Sequence, residues 1–183
     1  MNDFLKGVKV MNYLKGKSVY LAGPISDVSD DGVGWREMIT PRMAKFGLHV
    51  EDPTKKTING IGEVKDDKDY FRKLAMEHKF DELKEAFWPI VRKDLRCVDK
   101  ADFIIAVYDP HAKMCGTIDE LRIAKSQKKP ILMYCNPDKI DKSFNPWILT
   151  FPKKGNFYTS WDAILAKLDE VDTGIFDYDH WTI

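Results

Sequence analysis

The sequence has few of the residues that form disulfide bonds or structural metal sites. Its 183 residues include only three cysteines and four histidines. Cys97, Cys115 and Cys135 are scattered and form no CxxC pair, so neither a disulfide framework nor a zinc ribbon is indicated. His111 and Cys115 stand four residues apart, but no further ligands follow at a suitable spacing. We therefore expect no metal site.

The chain also lacks net charge and long apolar runs. It has 29 basic and 29 acidic side chains, and these are interspersed, which argues against binding to nucleic acid. Residues 103–108 form one of the longest apolar runs and are far too few to cross a bilayer. Charges at Asp3, Lys6 and Lys9 interrupt the stretch that a signal peptide would need. We expect one soluble, cytoplasmic domain over residues 1–183, with no membrane partner.

The apolar pattern predicts strands that alternate with helices. Predicted strands cover residues 18–23, 48–52, 102–108, 130–135 and 147–151, and predicted helices cover 35–46, 69–87, 90–100, 117–127 and 161–171. Several strands are apolar throughout, as in a sheet that is covered on both faces. The predicted fold class is therefore α/β: a doubly wound, flavodoxin-like or Rossmann-like, mainly parallel five-stranded sheet flanked by helices. Pro41 is expected to kink or split its helix, and Pro89 to open a new one.

Ligands of doubly wound sheets bind beyond the carboxyl ends of the strands, at the switch point. Residues 23–27 and 109–116 are the segments expected there, which makes Gly23, Pro24, Asp109 and Gly116 candidate substrate contacts. A phosphate site could be formed by the backbone amides and side chains of the loop that follows the first strand; the alternative is an ordinary flexible loop. The residues concerned are Ser26, the Gly32–Gly34 loop and Arg36.

Common nucleotide-binding and hydrolase motifs are absent, since the chain has neither GxxxxGK[ST] nor GxSxG, and no GxGxxG follows the first strand. Carboxylates remain as candidates. Thr117 and Glu120 fit a capping box, in which Glu120 would bond the N-cap amide. Alternatively, the helix N-terminus would keep Glu120 ionised at the rim of the crevice, which suits a nucleophile. By composition alone, Asp94 would be a surface charge and Tyr20 a core residue.

Three ordered segments resemble the nucleoside 2-deoxyribosyltransferase family: residues 19–24 (VYLAGP), 94–107 (DLRCVDKADFIIAV) and 115–131 (CGTIDELRIAKSQKKPI). Residues 147–161 resemble phage-type members. The resemblance implies a flavodoxin-like fold and transfer of a 2-deoxyribosyl group between nucleobases, without a metal or organic cofactor. It also implies a homo-oligomer in which the C-terminal part of a neighbouring subunit completes the pocket. Residues 1–17 would be a leader, 54–88 a family-variable helical insertion and 172–183 a tail suited to that subunit contact.

The resemblance assigns roles to three residues: Glu120 is the nucleophilic glutamate, Asp94 handles the base and Tyr20 positions the nucleophile. Glu120 would form a glycosyl ester while Asp94 protonates the departing base, with the two carboxyls about 5–5.5 Å apart, as in retaining glycosidases. Gly116 and Thr117 match the Gly-Thr of the family. Members with base exchange often carry a second aspartate where this chain has Met114, which leaves base recognition open.

Two alternatives follow. One is a nucleoside 5′-monophosphate N-glycosidase, in which water takes the sugar and the phosphate site is needed. The other, supported by Met114, is a nucleotide-binding module that has lost catalysis. The expected small-molecule partners are a nucleoside or nucleotide and a free nucleobase.

Overall fold

The computed structural model describes residues 12–25, 28–55 and 65–174, apart from the side chains of 65–67. Five parallel strands form one sheet in the order β2-β1-β3-β4-β5. They are β1 (Ser18–Ala22), β2 (His49–Glu51), β3 (Phe103–Tyr108), β4 (Ile131–Cys135) and β5 (Phe157–Tyr158). The doubly wound parallel sheet predicted from the sequence is confirmed, and the switch point lies between β1 and β3.

Helices cover both faces of the sheet. The helices are α1 (Val33–Met43), α2 (Lys65–Met76), α3 (Phe80–Lys100), α4 (Cys115–Ser126) and α5 (Trp161–Thr173). Side chains of α3 and α4 pack on the face that contains Tyr20 and Ile104, whereas α1 and α5 pack on the face that contains Leu21 and Ile105. Because both faces are covered, β1 and β3 are apolar and buried over nearly their whole length.

The predicted break at Pro89 is wrong, because α3 continues through this residue. The break lies instead at residues 77–79, where His78 adopts a left-handed backbone with φ of 57°. A proline inside a helix removes one backbone hydrogen bond. In α3 that loss is offset by the buried apolar face formed by Ile90, Cys97 and Val98.

The strand predicted at residues 147–151 is also wrong. These residues belong to a 3₁₀ turn over Pro146–Thr150, and the fifth strand is Phe157–Tyr158. Asn145 precedes the turn, and its side chain accepts a hydrogen bond from the amide of Trp147. An Asn cap followed by proline starts a helical turn, and this local signal overrides the apolar run. Near Pro41, helix α1 ends at Met43 and continues as a 3₁₀ turn over Ala44–Phe46.

Candidate functional site

Glu120 lies in the second turn of α4 and is held by a strand residue. Helix α4 begins at Cys115 with Met114 as its N-cap, so Thr117 lies inside the first turn and the predicted capping box is wrong. Instead, the hydroxyl of Tyr20 in β1 donates to Oε1 of Glu120 over 2.7 Å. This bond spans 100 positions of sequence and fixes the carboxylate against the first strand.

The phenol of Tyr20 interacts electrostatically with both predicted carboxylates, Glu120 and Asp94. Its side chain is fully buried, and burial raises the pKa of its phenol well above the ordinary value. The negative charges of Glu120 and Asp94 and the hydrogen bond to Glu120 raise this pKa further, while Arg36 acts in the opposite direction. The phenol therefore stays protonated and keeps donating. Asp94, half-buried in α3, is close enough to act on the same hydroxyl and is not a fully solvated charge.

The loop between β3 and α4 is tied down by Asp109. Burial acts to raise the pKa of its carboxyl, but the hydrogen bonds from Lys139 and from the amide of His111 outweigh burial and hold this pKa below its ordinary value. Met114 is buried, and its Sδ accepts from the amide of Asp109 over 3.4 Å. Gly116 has open space where a side chain would stand, so a ligand can approach the backbone at the first turn of α4.

In the loop between β1 and α1, the amides that the sequence offered to a phosphate are engaged by Asp30. Its carboxylate accepts from the amide of Gly32 over 3.0 Å and from that of Gly34 over 2.9 Å. Gly32 has φ of 68°, and a Cβ there would lie 2.3 Å from the carbonyl oxygen of Pro24. This turn therefore requires glycine at position 32. The place where an anion would bind the two amides is occupied by the carboxylate of Asp30.

Arg36 is fully buried and bonds the backbone around the end of β1. Its guanidinium donates to the carbonyl oxygens of Leu21, Gly23 and Gly32. Its Nε lies 3.7 Å from Oδ1 of the buried Asp52. The arrangement differs from the direct phosphate contact that the sequence suggested, because these contacts direct the guanidinium toward the protein backbone.

Lys68 of α2 contacts the β1–α1 loop, and the sequence pattern did not indicate this contact. Its side chain is nearly buried, donates to the carbonyl oxygen of Ile25 over 2.8 Å and forms an ion pair with Asp31. The segment around it (KDDKDY) has the charge pattern of a solvated helix face, so nothing in the sequence marked one lysine as buried.

A cavity of about 460 Å³ lies at the carboxyl ends of β1, β3 and β4. It brings together Pro24 and Asp109, as the switch point predicted, along with Trp35 and Trp161 from the α1–α5 side. Tyr20 and Glu120 are not among its lining residues, since Tyr20 packs on the α3–α4 face. Ser26, the remaining predicted contact, lies outside the described residues.

Within residues 12–25, 28–55 and 65–174, no three His, Cys, Asp or Glu side chains stand close enough to hold a metal ion. Nor does any helix in this part of the chain have the length and apolar character that crossing a membrane requires.

Comparisons with known proteins address the family and the fold. The family model described as "Nucleoside 2-deoxyribosyltransferase" matches residues 19–146, which include Tyr20, Asp94 and Glu120. No curated protein matches the chain.

Solved structures share the fold. A 2-deoxyribosyltransferase from Leishmania mexicana is 20% identical with a TM-score of 0.56, over 84% of this chain and 97% of that one. A conserved protein from Enterococcus faecalis is 16% identical with a TM-score of 0.58, over 85% and 98%. A 2-deoxyribosyltransferase from Bacillus psychrosaccharolyticus is 14% identical with a TM-score of 0.53, over 82% and 95%. At these identities the likeness establishes the fold.

Proposed function

Since the chain belongs to the nucleoside 2-deoxyribosyltransferase family, we propose that it cleaves the N-glycosidic bond of a deoxynucleoside and transfers the deoxyribosyl group to another base through Glu120. One observation carries the proposal: the Tyr20 hydroxyl donates to Glu120 while the charge of Asp94 acts on the same hydroxyl. Two carboxylates near one buried donor are the groups that retaining glycosyl transfer uses.

The proposed reaction has two steps. In the first, a carboxylate oxygen of Glu120 attacks C1′, the bond from C1′ to the base nitrogen breaks, and the base leaves with the electron pair and a proton from Asp94, which must carry that proton when the substrate binds. In the second, a nitrogen of the incoming base attacks C1′, the ester bond to Glu120 breaks, and Asp94 takes the proton. Two inversions give net retention.

Tyr20 would orient the nucleophile. Its raised pKa keeps the phenol protonated, so it donates to Oε1 of Glu120 and holds the carboxylate in one orientation for attack on C1′. When the ester breaks in the second step, the same bond stabilises the returning negative charge. The phenol acts through Glu120 and exchanges no proton with the substrate.

The β1–α1 loop favours an unphosphorylated donor. The amides of Gly32 and Gly34 already bond Asp30, and a 5′-phosphate there would meet this carboxylate. Arg36 donates to backbone carbonyls, which supports a structural role over phosphate binding. We therefore prefer the nucleoside over the nucleotide as donor.

Hydrolysis is the second candidate, and Met114 favours it. This residue replaces a family aspartate with a buried thioether, so one polar group that could bind an acceptor base is missing. Water would then attack the ester, and the protein would act as an N-glycosidase. We propose the same residues and a homo-oligomeric cytoplasmic enzyme in either case.

The test incubates the protein with each deoxynucleoside and each 5′-monophosphate, with and without free adenine or cytosine, and separates the products by chromatography. Glu120→Ala is the test variant. Asp119→Ala is its matched control, because Asp119 is the adjacent carboxylate of α4 and pairs with Arg122 at the surface.

New nucleosides that require an acceptor base, and that disappear only in Glu120→Ala, would support transfer. Free base released without an acceptor would assign the hydrolase. An absence of turnover in every protein would contradict both reactions and favour the nucleotide-binding module.

A further inference from the structure

Helix α2 lies in the segment predicted as a variable insertion, and it contacts both sides of the candidate site. Phe71 packs edge-on against Phe87 of α3 with ring centroids 5.1 Å apart, and Leu74 is buried. One turn before Phe71, Lys68 reaches the β1–α1 loop. The helix is therefore anchored by apolar contacts to α3, which contains Asp94, and by a polar contact to the loop that follows Pro24.

The polar contact is made where the backbone of that loop is left-handed. Asp31 and Gly32 both have left-handed backbones, with φ of 54° and 68°. Such a conformation costs an ordinary residue free energy and persists only where neighbouring groups stabilise it. Lys68 bonds the side chain of Asp31 and the carbonyl oxygen of Ile25, so it joins the two ends of the turn.

Burial makes this link stronger than a surface ion pair. The side chain of Lys68 is 10% exposed and that of Asp31 is 33% exposed, so water screens their attraction only in part. A nearly buried ammonium also needs its bonds, because an unpaired one would bear the full desolvation cost. The loop and the helix are therefore expected to move together.

We propose that Lys68 is a positioning residue, which fixes the distance between the β1–α1 loop and the helix that contains Asp94. This inference rests on the proposed function, because it gives α2 the role of holding the nucleoside-binding loop against the base side of the site. Glu120 and Tyr20 lie on α4 and β1, and α2 contacts α3 at Phe87, about two turns before Asp94. We therefore expect the link to govern substrate binding far more than the chemical step.

The experiment measures KM and kcat with deoxyadenosine and deoxycytidine for three variants. Lys68→Met keeps the length of the stem and removes the ammonium; we expect KM to rise on the order of tenfold, with kcat within about twofold. Lys68→Arg restores both bonds and should recover most of the affinity. Asp31→Asn, which tolerates a left-handed backbone, isolates the ion pair from the bond to Ile25.

Lys73→Met is the matched control, because Lys73 lies on the same helix with its side chain 72% exposed. We expect its KM to equal that of the wild type. A lower melting temperature in Lys68→Met with unchanged KM would show a purely structural residue and overturn the proposal. A loss in kcat alone, or an equal rise in KM in the control, would also overturn it.

Calorimetry separates this proposal from the proposed function. The dissociation constant of deoxyadenosine is measured for Glu120→Ala with and without Lys68→Met, where no turnover occurs. If the wild type catalyses no reaction but Lys68→Met weakens this binding about tenfold, the proposed function fails and the role of Lys68 holds. If turnover follows the proposal but binding is equal in the two proteins, the role of Lys68 fails alone.

Discussion

In the β1–α1 loop the amides of Gly32 and Gly34 donate to Asp30, whereas in the second turn of α4 the carboxylate of Glu120 accepts from Tyr20 of β1. In the β1–α1 loop these polar groups bond to one another, which stabilises the conformation of the loop. The second region holds a carboxylate beside open space at Gly116. Both flank the switch point, so position at the carboxyl edge does not by itself identify the reactive group.

Arg36 should show the largest effect of any single substitution, because it holds the β1–α1 loop together. Arg36→Met would leave three carbonyl oxygens and Asp52 without the guanidinium, and we expect a loss of about 3–5 kcal/mol in the free energy of unfolding. Urea denaturation measures it. Arg42→Met removes an exposed arginine paired with Asp162 and should cost less than about 1 kcal/mol. Equal costs in the two variants would contradict a structural role for Arg36.

The sequence predicted the fold well because the sheet follows from local patterns. The strands at β1, β3 and β4 are apolar runs bounded by turns, and their alternation with helices implies a parallel sheet. The errors at Pro89 and at residues 147–151 arose where a single proline or an Asn cap competed with a longer pattern. At Pro89 the buried apolar face decided the outcome, whereas at residues 147–151 the local cap did, and the sequence alone does not state which of the two prevails.

The site was predictable only in part. Glu120, Asp94 and Tyr20 were named from a family resemblance, and the hydrogen bond between Tyr20 and Glu120 joins positions that no local pattern relates. The engagement of Gly32 and Gly34 by Asp30 depends on the turn geometry, and the burial of Lys68 depends on how α2 docks. Both are tertiary facts, so the sequence suggested a phosphate site or a flexible loop for the first segment and gave no sign of a buried lysine in the second.

Tyr20→Phe tests the hydrogen bond that holds Glu120 of α4. It removes the donor to Glu120 but keeps the ring, so kcat should fall about 10- to 100-fold while the fold is retained. Steady-state kinetics and circular dichroism measure the two effects. Tyr158→Phe is the control, because this phenol belongs to β5, bonds the side chain of Asn156 and is three strands from β1 in the sheet order. A kcat equal to that of the wild type would contradict the orienting role.

The same variant has a pH signature. The pKa of Tyr20 is raised in the folded protein, so its contribution to stability is complete below the unfolded value of about 10 and is lost as pH rises through the folded value. Above pH 10 or so, Tyr20→Phe should therefore lose less unfolding free energy than the wild type. Tyr134 and Tyr158, whose pKa values are also raised, keep the remaining alkaline dependence.

Asp30→Ala tests whether the first loop excludes a phosphate. The change vacates the amides of Gly32 and Gly34, which can then bind an anion at the start of α1. We expect the ratio of kcat/KM for a 5′-monophosphate to that for its nucleoside to rise about tenfold, with about 1 kcal/mol of stability lost from the missing cap. Asp81→Ala removes the same charge from the start of α3. An unchanged ratio, or an equal change in the control, would place the 5′ end elsewhere.

Lys139→Met should have the smallest effect, and it tests how the ion pair between Lys139 and Asp109 holds the β3–α4 loop. The pKa of Asp109 lies below its ordinary value, because the bonds from Lys139 and from the His111 amide outweigh burial. This carboxylate therefore contributes stability above the unfolded value of about 4, and the contribution is lost as pH falls through the folded value. Without Lys139 the pKa of Asp109 rises toward the unfolded value, so the variant should be less stable than the wild type at neutral pH, and this difference should shrink in acid. Denaturation at pH 7 and pH 3 measures it, with Lys142→Met, an exposed lysine of the same loop, as control. A difference that is independent of pH would mean that Lys139 contributes packing alone, since only the ion pair depends on the charge of Asp109.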